Sequence, residues 1–402
     1  MDVTDSISHN WRHKNQDTPL HSIHRRYKDK TLWYKSSWET MEMSSVPTNT
    51  EKISYRSSIY PWHGIHRGVL STKLPSIKIK DGVENVEISW CNDIFINMIK
   101  NFTVSFNDTV LQEGNTKYLF TQKNRLNQDV FPSVNWGTHL NEKNISLRVP
   151  FFYDGCHTNS FPLSLCGKSD RFIHKFEYKL MIEDLIVMRK NGDIIQFDKS
   201  LIEVDNSLIS IPVPELEGLY TLYEGETITE DLEFIVENNY FVEDDNERIG
   251  GKKIQLKFGE RIEYPVEKMV WGVENTTQTE LYKSLIVDNG SSTPIKNSKL
   301  ETKYDTIIDC EPSYKTEFSR IENKDSVIVG INQWFNGIGH NTRKYSPGIV
   351  FKGGNIVVNT FNDDNNYLLF VLLFYSKKYV FKTYPKTQSE RLIKGSTIEL
   401  LN

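Results

Sequence analysis

Short segments in which apolar and polar residues alternate recur along most of the chain. In the first half they include VLSTKLPSIKI at 69–79 and VENVEISW at 83–90. The second half repeats the pattern in KKIQLKFG at 252–259, NIVVNTF at 355–361 and YLLFVLLFYS at 367–376. Period-two alternation broken by Gly, Asn and Pro is typical of antiparallel strands, and many such strands in series indicate a sandwich or a barrel. We therefore expect an all-β protein.

Two local patterns add detail to this picture. The tetrapeptide Lys190–Asp193, KNGD, predicts a tight hairpin turn. Thr227 followed by Glu230 has the form of a capping box, and apolar residues at helical spacing come next. This second pattern predicts a helix, with Leu232, Ile235, Val236 and Tyr240 on its buried face.

The chain has 402 residues, which is enough for two domains of ordinary size. The proline-bearing stretch IPVPELEG, Ile211–Gly218, precedes the predicted helix and indicates a boundary near Pro214. We expect a basic, aromatic arm with a first strand at 1–65, a first β domain at 66–213, and a linker helix with a second β domain at 214–402.

Composition supports the β interpretation, because the chain contains no alanine and is rich in β-branched and aromatic residues. An A/T-rich genome would also deplete alanine, whatever the fold. Charge is uneven: residues 1–80 carry 13 Lys/Arg and 7 Asp/Glu, whereas residues 191–270 carry 7 and 19. This asymmetry suggests either an acidic partner for the first end or simply solvated surfaces.

Signals for other classes of protein are weak. Four cysteines without CxxC spacing favour a reducing compartment. The N-terminus lacks the apolar stretch of a signal peptide, and the longest apolar run, Tyr367–Tyr375, is too short to span a bilayer. We expect no specific nucleic-acid partner from the single basic run His24–Lys30.

No residue qualifies as catalytic, cofactor-binding or metal-binding. Motifs of the GxSxG, HExxH and GxGxxG types are absent, and the Gly167–Ser169 GKS has Pro162 where a phosphate loop needs glycine. The segment Asp244–Glu247 lacks EF-hand spacing. Acidic and histidine clusters are better explained as solvated or helix-terminal residues; they are Glu224, Glu226, Glu230, Asp231, Glu233, His9, His13, His21, His24, His63 and His66.

Five segments, in order, resemble the double jelly-roll major capsid proteins of nucleocytoplasmic large DNA viruses. The most recognisable is LRVPFFYDGCHTNSFPLSL followed by HKFEYKL, within Leu147–Leu180, which is similar to the Val-Pro aromatic strand of the family and its Pro-Leu strand. The Asp154–His157 part departs from the usual apolar middle of that segment. The other four segments are Ile23–Trp33, His66–Ile77 with Ser89–Gln112, Tyr264–Asn275, and Ser346–Gly348 leading into 349–363 and 367–383.

The resemblance implies two tandem eight-stranded antiparallel jelly rolls with a few short helices in linkers and loops. It also implies a non-enzymatic shell subunit that forms homotrimeric, pseudo-hexagonal capsomers. Expected partners are neighbouring capsomers, and minor capsid proteins or the internal membrane through the N-terminal arm. The expected location is the virion, after assembly in a viral factory of the host cytoplasm. Core strands are expected at Leu70–Ile79, Val149–Tyr153 and Tyr367–Tyr375.

Other functions remain open from the sequence alone. One is a paralogous minor capsid protein or an assembly scaffold of the same fold. Another is a two-domain carbohydrate-binding protein, in which Trp62, Trp136 and Trp334 stack on sugars. A glycoside-active enzyme using Glu224 or Glu226 is a third, although no recognisable acid pair supports it.

Overall fold

A computed structural model describes the chain over most of its first half and over separate strands of its second half. The described residues are 34–46, 49–91, 93–122, 135–154, 160–204, 210–223, 232–243, 248–249, 253–258, 266–275, 295–302, 307–309, 327–333, 354–360, 366–382 and 397–401. Most of them belong to antiparallel sheets, as the alternation predicts.

Two sheets facing each other form a first sandwich. One has the strand order β1 (Tyr34–Thr40), β15 (Glu215–Tyr223), β4 (Gly64–Leu74) and β10 (Lys143–Arg148). The other has the order β2 (Glu42–Val46), β3 (Asn49–Arg56), β11 (Phe172–Tyr178), β7 (Ile99–Phe106) and β8 (Thr109–Asn115).

Strand β11 shows how the sequence directs these sheets. Phe172, His174, Phe176 and Tyr178 alternate along FIHKFEY and are all buried, whereas Lys175 between them is exposed and Ile173 and Glu177 are half-buried. Successive side chains of a strand point to opposite faces, so this pattern fixes which face meets the opposite sheet.

Smaller elements complete this half of the chain. One three-stranded sheet has the order β13 (Asp193–Ile195), β12 (Ile186–Lys190) and β6 (Val86–Trp90). Another has the order β14 (Ile202–Val204), β5 (Ile77–Ile79) and β9 (His139–Leu140). The described helices are α1 (Ile94–Met98) and α2 (Thr116–Gln122), with 3₁₀ turns at Leu163–Leu165, Ile182–Asp184 and Lys199–Leu201.

The hairpin turn predicted at Lys190–Asp193 is confirmed. Lys190 pairs with Asp193, and the two residues between them have positive φ, 54° at Asn191 and 92° at Gly192. Positive φ at both central positions is the geometry of the two-residue turn that matches strand twist.

A second sandwich follows. Its larger sheet has the order β16 (Leu232–Glu243), β24 (Asn366–Lys382), β19 (Val266–Asn275) and β22 (Val327–Gln333), and the short strands β17 (Arg248–Ile249) and β25 (Thr397–Leu401) also pair with β24. Its other sheet has the order β18 (Lys253–Phe258), β23 (Gly354–Thr360), β20 (Ile295–Thr302) and β21 (Ile307–Asp309).

The two sandwiches have the same topology. If the eight main strands of each are numbered along the chain, one sheet has the order first, eighth, third, sixth and the other second, seventh, fourth, fifth. In the first sandwich these strands are β1, β3, β4, β7, β8, β10, β11 and β15; in the second they are β16 and β18 to β24. Eight strands in two sheets of this order form a jelly roll, so we call the two sandwiches the first and second roll.

The helix predicted from Thr227 is wrong over its described part. Leu232–Glu243 is a strand, paired with β24 along its whole length. Val236 and Tyr240 are four residues apart, which suits a helix, but Phe234, Val236 and Asn238 are buried in alternation, which suits a strand. A twelve-residue ladder outweighs a local helical signal.

The predicted domain limits also need correction. Strand β15 lies beyond the predicted boundary at Pro214, yet it pairs with β1 and β4 of the first roll. The first roll also begins before residue 66, because β1, β2 and β3 already belong to its sheets. Proline and glycine near residue 214 introduce the last strand of the roll instead of ending the domain. We place the boundary between β15 and β16.

The predicted core segments are buried, although one is not a strand. Leu70, Leu74 and Ile77 are buried in the first roll, and Phe370–Phe374 are buried in β24. Val149–Tyr153 is buried too, but it follows the end of β10 and includes a turn. Its aromatic side chains fill the space between sheets without joining a ladder.

Candidate assembly site

An aromatic cluster built largely from the segment Leu147–Leu180 fills the first roll. The rings of Phe161 and Phe172 stack with centroids 4.4 Å apart, and Phe151 stacks on Tyr153 at 5.2 Å. Phe151 packs so closely on Gly68 of β4 that a side chain at position 68 would overlap its ring. The cluster therefore joins the loop after β10 to both sheets of the roll.

His174 lies inside this cluster. The Tyr153 hydroxyl is 2.6 Å from its Nε2 atom, and the rings of Phe151 and Phe172 are each 4.8 Å away. Burial lowers the pKa of His174 to about 3, because a charged imidazolium would lose its hydration there. This histidine is therefore a neutral part of the core at physiological pH.

A pair of buried tyrosines ties β3 and β11 to the segment that leads into β15. The Tyr55 hydroxyl donates to the Pro214 carbonyl at 2.6 Å, and the hydroxyl oxygens of Tyr55 and Tyr178 are 3.1 Å apart. Burial raises the pKa of both phenols, so neither ionises near neutral pH. Pro214 is thus fixed within the first roll.

The aromatic cluster continues across the boundary between the rolls. Phe381 of β24 lies 5.2 Å from Phe106 and 5.8 Å from Phe161, and Phe234 of β16 stacks on Phe152 at 6.0 Å, between ring centroids. One continuous group of buried apolar side chains includes residues of both rolls. We call this contact, with the polar contacts described next, the junction.

Polar side chains of the second roll cover the edge of β8. The Asn238 amide donates to the Leu111 carbonyl at 3.1 Å, and the Asn239 amide donates to the Glu113 carbonyl at 2.8 Å. Strand β8 is the last strand of its sheet, so carbonyls on its outer side have no ladder partner. Side-chain amides supply that partner and block further strand addition there.

Further contacts lie on either side of this edge. The Tyr379 hydroxyl donates to the Val110 carbonyl at 3.4 Å. Helix α2 of the first roll places Tyr118 6.1 Å from Phe374, between ring centroids, and Lys117 over the ring of Phe370 at 5.2 Å. The junction combines apolar burial with directional hydrogen bonds, so it holds the two rolls in one relative orientation.

Of the residues that the sequence offered as chemical candidates, the structure describes the side chains of His63 and His66. His63 is half-buried and His66 is buried in the first roll, and among the described residues no group of His, Cys, Asp or Glu has metal-site geometry. Lying outside the described residues are His9, His13, His21, His24, Glu224, Glu226, Glu230, Asp231, Asp244–Glu247 and Trp334, and the side chain of Glu233 is not described.

The GKS segment has a structural role. Asp170 is buried, accepts a bond from the Gly167 backbone N–H at 2.6 Å and accepts another from the Asn107 amide at 3.2 Å. These bonds close the loop between the 3₁₀ turn Leu163–Leu165 and β11. The loop is therefore folded on an internal carboxylate, an arrangement unlike a phosphate-binding loop.

Two of the tryptophans proposed for sugar stacking, Trp62 and Trp136, pack on the protein itself. Trp62 is half-buried with its ring 5.6 Å from that of Tyr220, and Trp136 is half-buried under the Arg189 guanidinium at 4.5 Å. Of the four cysteines, Cys91 and Cys166 are buried and free, and burial raises the pKa of Cys91 to about 12. No described helix has the length and apolar character needed to cross a membrane.

Comparisons with known proteins identify the fold. No protein-family model and no curated protein matches the chain. Among solved structures, VP54 of PBCV-1 has 9% identity and a TM-score of 0.63, with 93% of this chain and 98% of VP54 covered. The Faustovirus major capsid protein has 8% identity and a TM-score of 0.60, with 87% of this chain and 90% of the Faustovirus protein covered. The fold is the double jelly roll.

The expected double jelly roll is thus confirmed over nearly the whole chain. The mavirus major capsid protein matches too, with 10% identity, a TM-score of 0.51 and 90% of each chain covered. At such low identity the likeness concerns the fold. It agrees with the identical strand order of the two rolls, which is an independent observation.

Sequence reasoning missed the junction of this double jelly roll. Phe106, Phe161, Phe234 and Phe381 are ordinary core phenylalanines in the sequence, and nothing local shows that they meet across two domains. A signal was present in Asn238 and Asn239, two adjacent asparagines that interrupt the apolar residues in the middle of β16. Polar residues at such positions are explained when they bond to a neighbouring edge.

Proposed function

We propose that this protein is a structural subunit of a viral shell and forms trimeric, pseudo-hexagonal capsomers of an icosahedral capsid. The observation that carries the proposal is the pairing of two jelly rolls of identical strand order by one shared core. Each chain therefore supplies two similar, rigidly connected wedges. Its similarity in fold to major capsid proteins supports the same role.

A trimer is the assembly that fits this geometry best. A head-to-tail contact between chains closes into a ring when the rotation per chain divides a full turn. Two wedges per chain and three chains give six similar wedges, and a six-sided tile covers a flat facet without gaps. Neighbouring capsomers are then the lateral partners.

The proposal extends to the partners below the shell. The arm at residues 1–33 precedes β1 and lies outside the described residues; with the sequence up to residue 80 it carries a net positive charge. We assign to it contacts with minor capsid proteins or the internal membrane. The protein would be made in the host cytoplasm, assemble in a viral factory and reside in the virion, with no catalytic role.

The solution mass tests the proposal. One chain has a mass of 46.9 kDa, so a trimer has about 141 kDa, three times 46.9. Light scattering coupled to size exclusion should give the trimer value over a wide range of protein concentrations. A protein that stays at 46.9 kDa under all conditions of salt and concentration would contradict the proposal.

A further inference from the structure

Strand β24 extends past the strand beside it, and the extension reaches the first roll, where Phe381 lies 5.2 Å from Phe106 between ring centroids. On one side, β24 pairs with β16 as far as Phe381. On the other side, β19 pairs with β24 only at Tyr367 to Tyr375, so β19 offers no ladder partner to the residues that follow. We call this side of residues 376–382 the acceptor edge.

Strand β25 occupies the acceptor edge. It pairs antiparallel with residues 378–382 of β24, whose opposite side is held by β16, so β25 lies on the same side of β24 as β19. Residues 383–396 connect β24 to β25 and lie outside the described residues. A connection of this length, unlike a hairpin loop of about two to five residues, does not by itself impose the pairing. Contacts made by β25 must therefore stabilise it.

One face of β25 packs on the first roll. Ile398 is opposite Phe381 in the ladder, so the two side chains share a face of the sheet. Ile398 is 6% exposed and belongs to the core that both rolls share. Its carbonyl oxygen is 3.5 Å from the hydroxyl oxygen of Thr109, the first residue of β8. Strand β25 therefore contacts both rolls.

A single side chain dominates the packing of β25. Leu400 is two residues farther along the same face and is 39% exposed, and Glu399 forms a partly exposed ion pair with Lys382. Exposed ion pairs contribute little to stability, whereas the burial of an isoleucine contributes much more. Loss of β25 would also leave ladder groups of residues 378–382 without partners. The strand is thus held by Ile398 and by its backbone pairing.

We propose that the acceptor edge is a binding site for an extended peptide strand, and that β25 fills it as a latch that holds the two rolls together. The site recognises an extended backbone whose aliphatic side chain, here Ile398, faces the first roll. With the latch in place, the second roll contacts the first through β25 as well as through β16. Without it, the contacts of Phe234 and Asn238 remain, but the junction opens more often. The latch operates within one chain and does not depend on the proposed function.

Hydrogen exchange followed by mass spectrometry tests the latch in the full chain under native conditions. In Ile398→Asp, the amides of β25, of residues 378–382 and of β8 should exchange at least about 10-fold faster than in wild type. Leu400→Asp is the matched control, because it places the same charge on the exposed part of the same face, and its exchange should equal that of wild type. Equal exchange in the two variants, or faster exchange confined to β25, would contradict the latch.

A second test gives a result even if Ile398→Asp does not fold. A protease site inserted within residues 383–396 allows β25 to be cut off after folding and removed by size exclusion. The trimmed protein should exchange faster at residues 378–382 and in β8, and a synthetic peptide of residues 394–402 should restore the protection. The same peptide carrying Ile398→Asp should bind about 10- to 100-fold more weakly.

The outcomes of the second test are distinct from those for the proposed function. Protection of β8 that survives removal of β25 would show that β25 does not hold the junction, and would overturn the inference. A peptide that fails to restore protection, or that acts equally well when it carries Ile398→Asp, would overturn it too, because the acceptor edge would then not recognise the strand. The solution mass, which tests the trimer, is a separate measurement.

Discussion

Asn238 and Asn239 offer a close comparison of two hydrogen bonds at the junction. Both residues are asparagines in β16 and both donate to carbonyls of β8, but Asn238 is 6% exposed whereas Asn239 is half-buried and its bond is open to solvent. Asn238→Ala leaves the Leu111 carbonyl without its amide donor in a buried setting, which costs about 1–3 kcal/mol. Asn239→Ala costs about 0.5 kcal/mol, because water replaces the amide.

Equilibrium unfolding in urea, followed by circular dichroism at one protein concentration, measures this difference. We expect Asn238→Ala to lower the free energy of unfolding by at least about 1 kcal/mol more than Asn239→Ala, with an unchanged dependence on urea concentration. Equal losses for the two variants, or a larger loss for Asn239→Ala, would refute the assignment of Asn238 as a buried donor to the edge of β8.

Three further predictions concern the core, its protonation and the arm. Phe234→Ala should lower the free energy of unfolding by about 3–5 kcal/mol, since it empties a site between Phe152 and Tyr379. The control Phe241→Ala removes a half-buried ring from the same strand and should lower the free energy of unfolding clearly less in the same urea titration. An equal decrease for the two variants would count against the junction. His174 is held neutral when folded, with a pKa of about 3 against 6.5 for the ordinary side chain, so its contribution to stability is complete above pH 6.5 and falls as the unfolded state takes up the proton below it. Between pH 7.5 and pH 5, the free energy of unfolding should therefore fall by about 2 kcal/mol more in wild type than in His174→Gln. Parallel profiles of unfolding free energy against pH for the two proteins would contradict this. Deleting residues 1–30 should leave the trimer mass intact and impair shell assembly seen by electron microscopy; loss of the trimer would show that the arm holds the ring itself.

The local features of the fold could be predicted from the sequence because they depend on neighbouring residues. Alternation in β11 marks its buried face, and the Asn-Gly pair at 191–192 needs only its own positive φ values to specify a turn. Val149–Tyr153 is buried, as the resemblance implies, although it contains a turn and is not the strand that the resemblance also implies.

Long-range pairing explains what could not be predicted. The apolar spacing of Leu232–Tyr240 fits a helix in isolation, and only the ladder with β24, more than 120 residues later, makes it a strand. The prolines near residue 214 predict a boundary before β15, whereas its partners β1 and β4, far away in the sequence, keep this strand in the first roll. The junction has the same origin, since its phenylalanines become an interface only after both rolls have folded.

Rigidity at the junction is what connects this fold to the proposed role. A shell facet repeats one contact many times, so a small variation in the angle between the rolls would accumulate across the lattice. Phe234 and Phe381 anchor that angle by burial, and the asparagine amides fix the register along β8. Stability and assembly geometry thus depend on the same side chains.

Electron microscopy of the purified protein with class averaging tests the trimeric capsomer directly. We expect a six-lobed ring in which three chains each contribute two jelly rolls at nearly equal spacing. Separate two-lobed particles, or rings with another number of lobes, would contradict it.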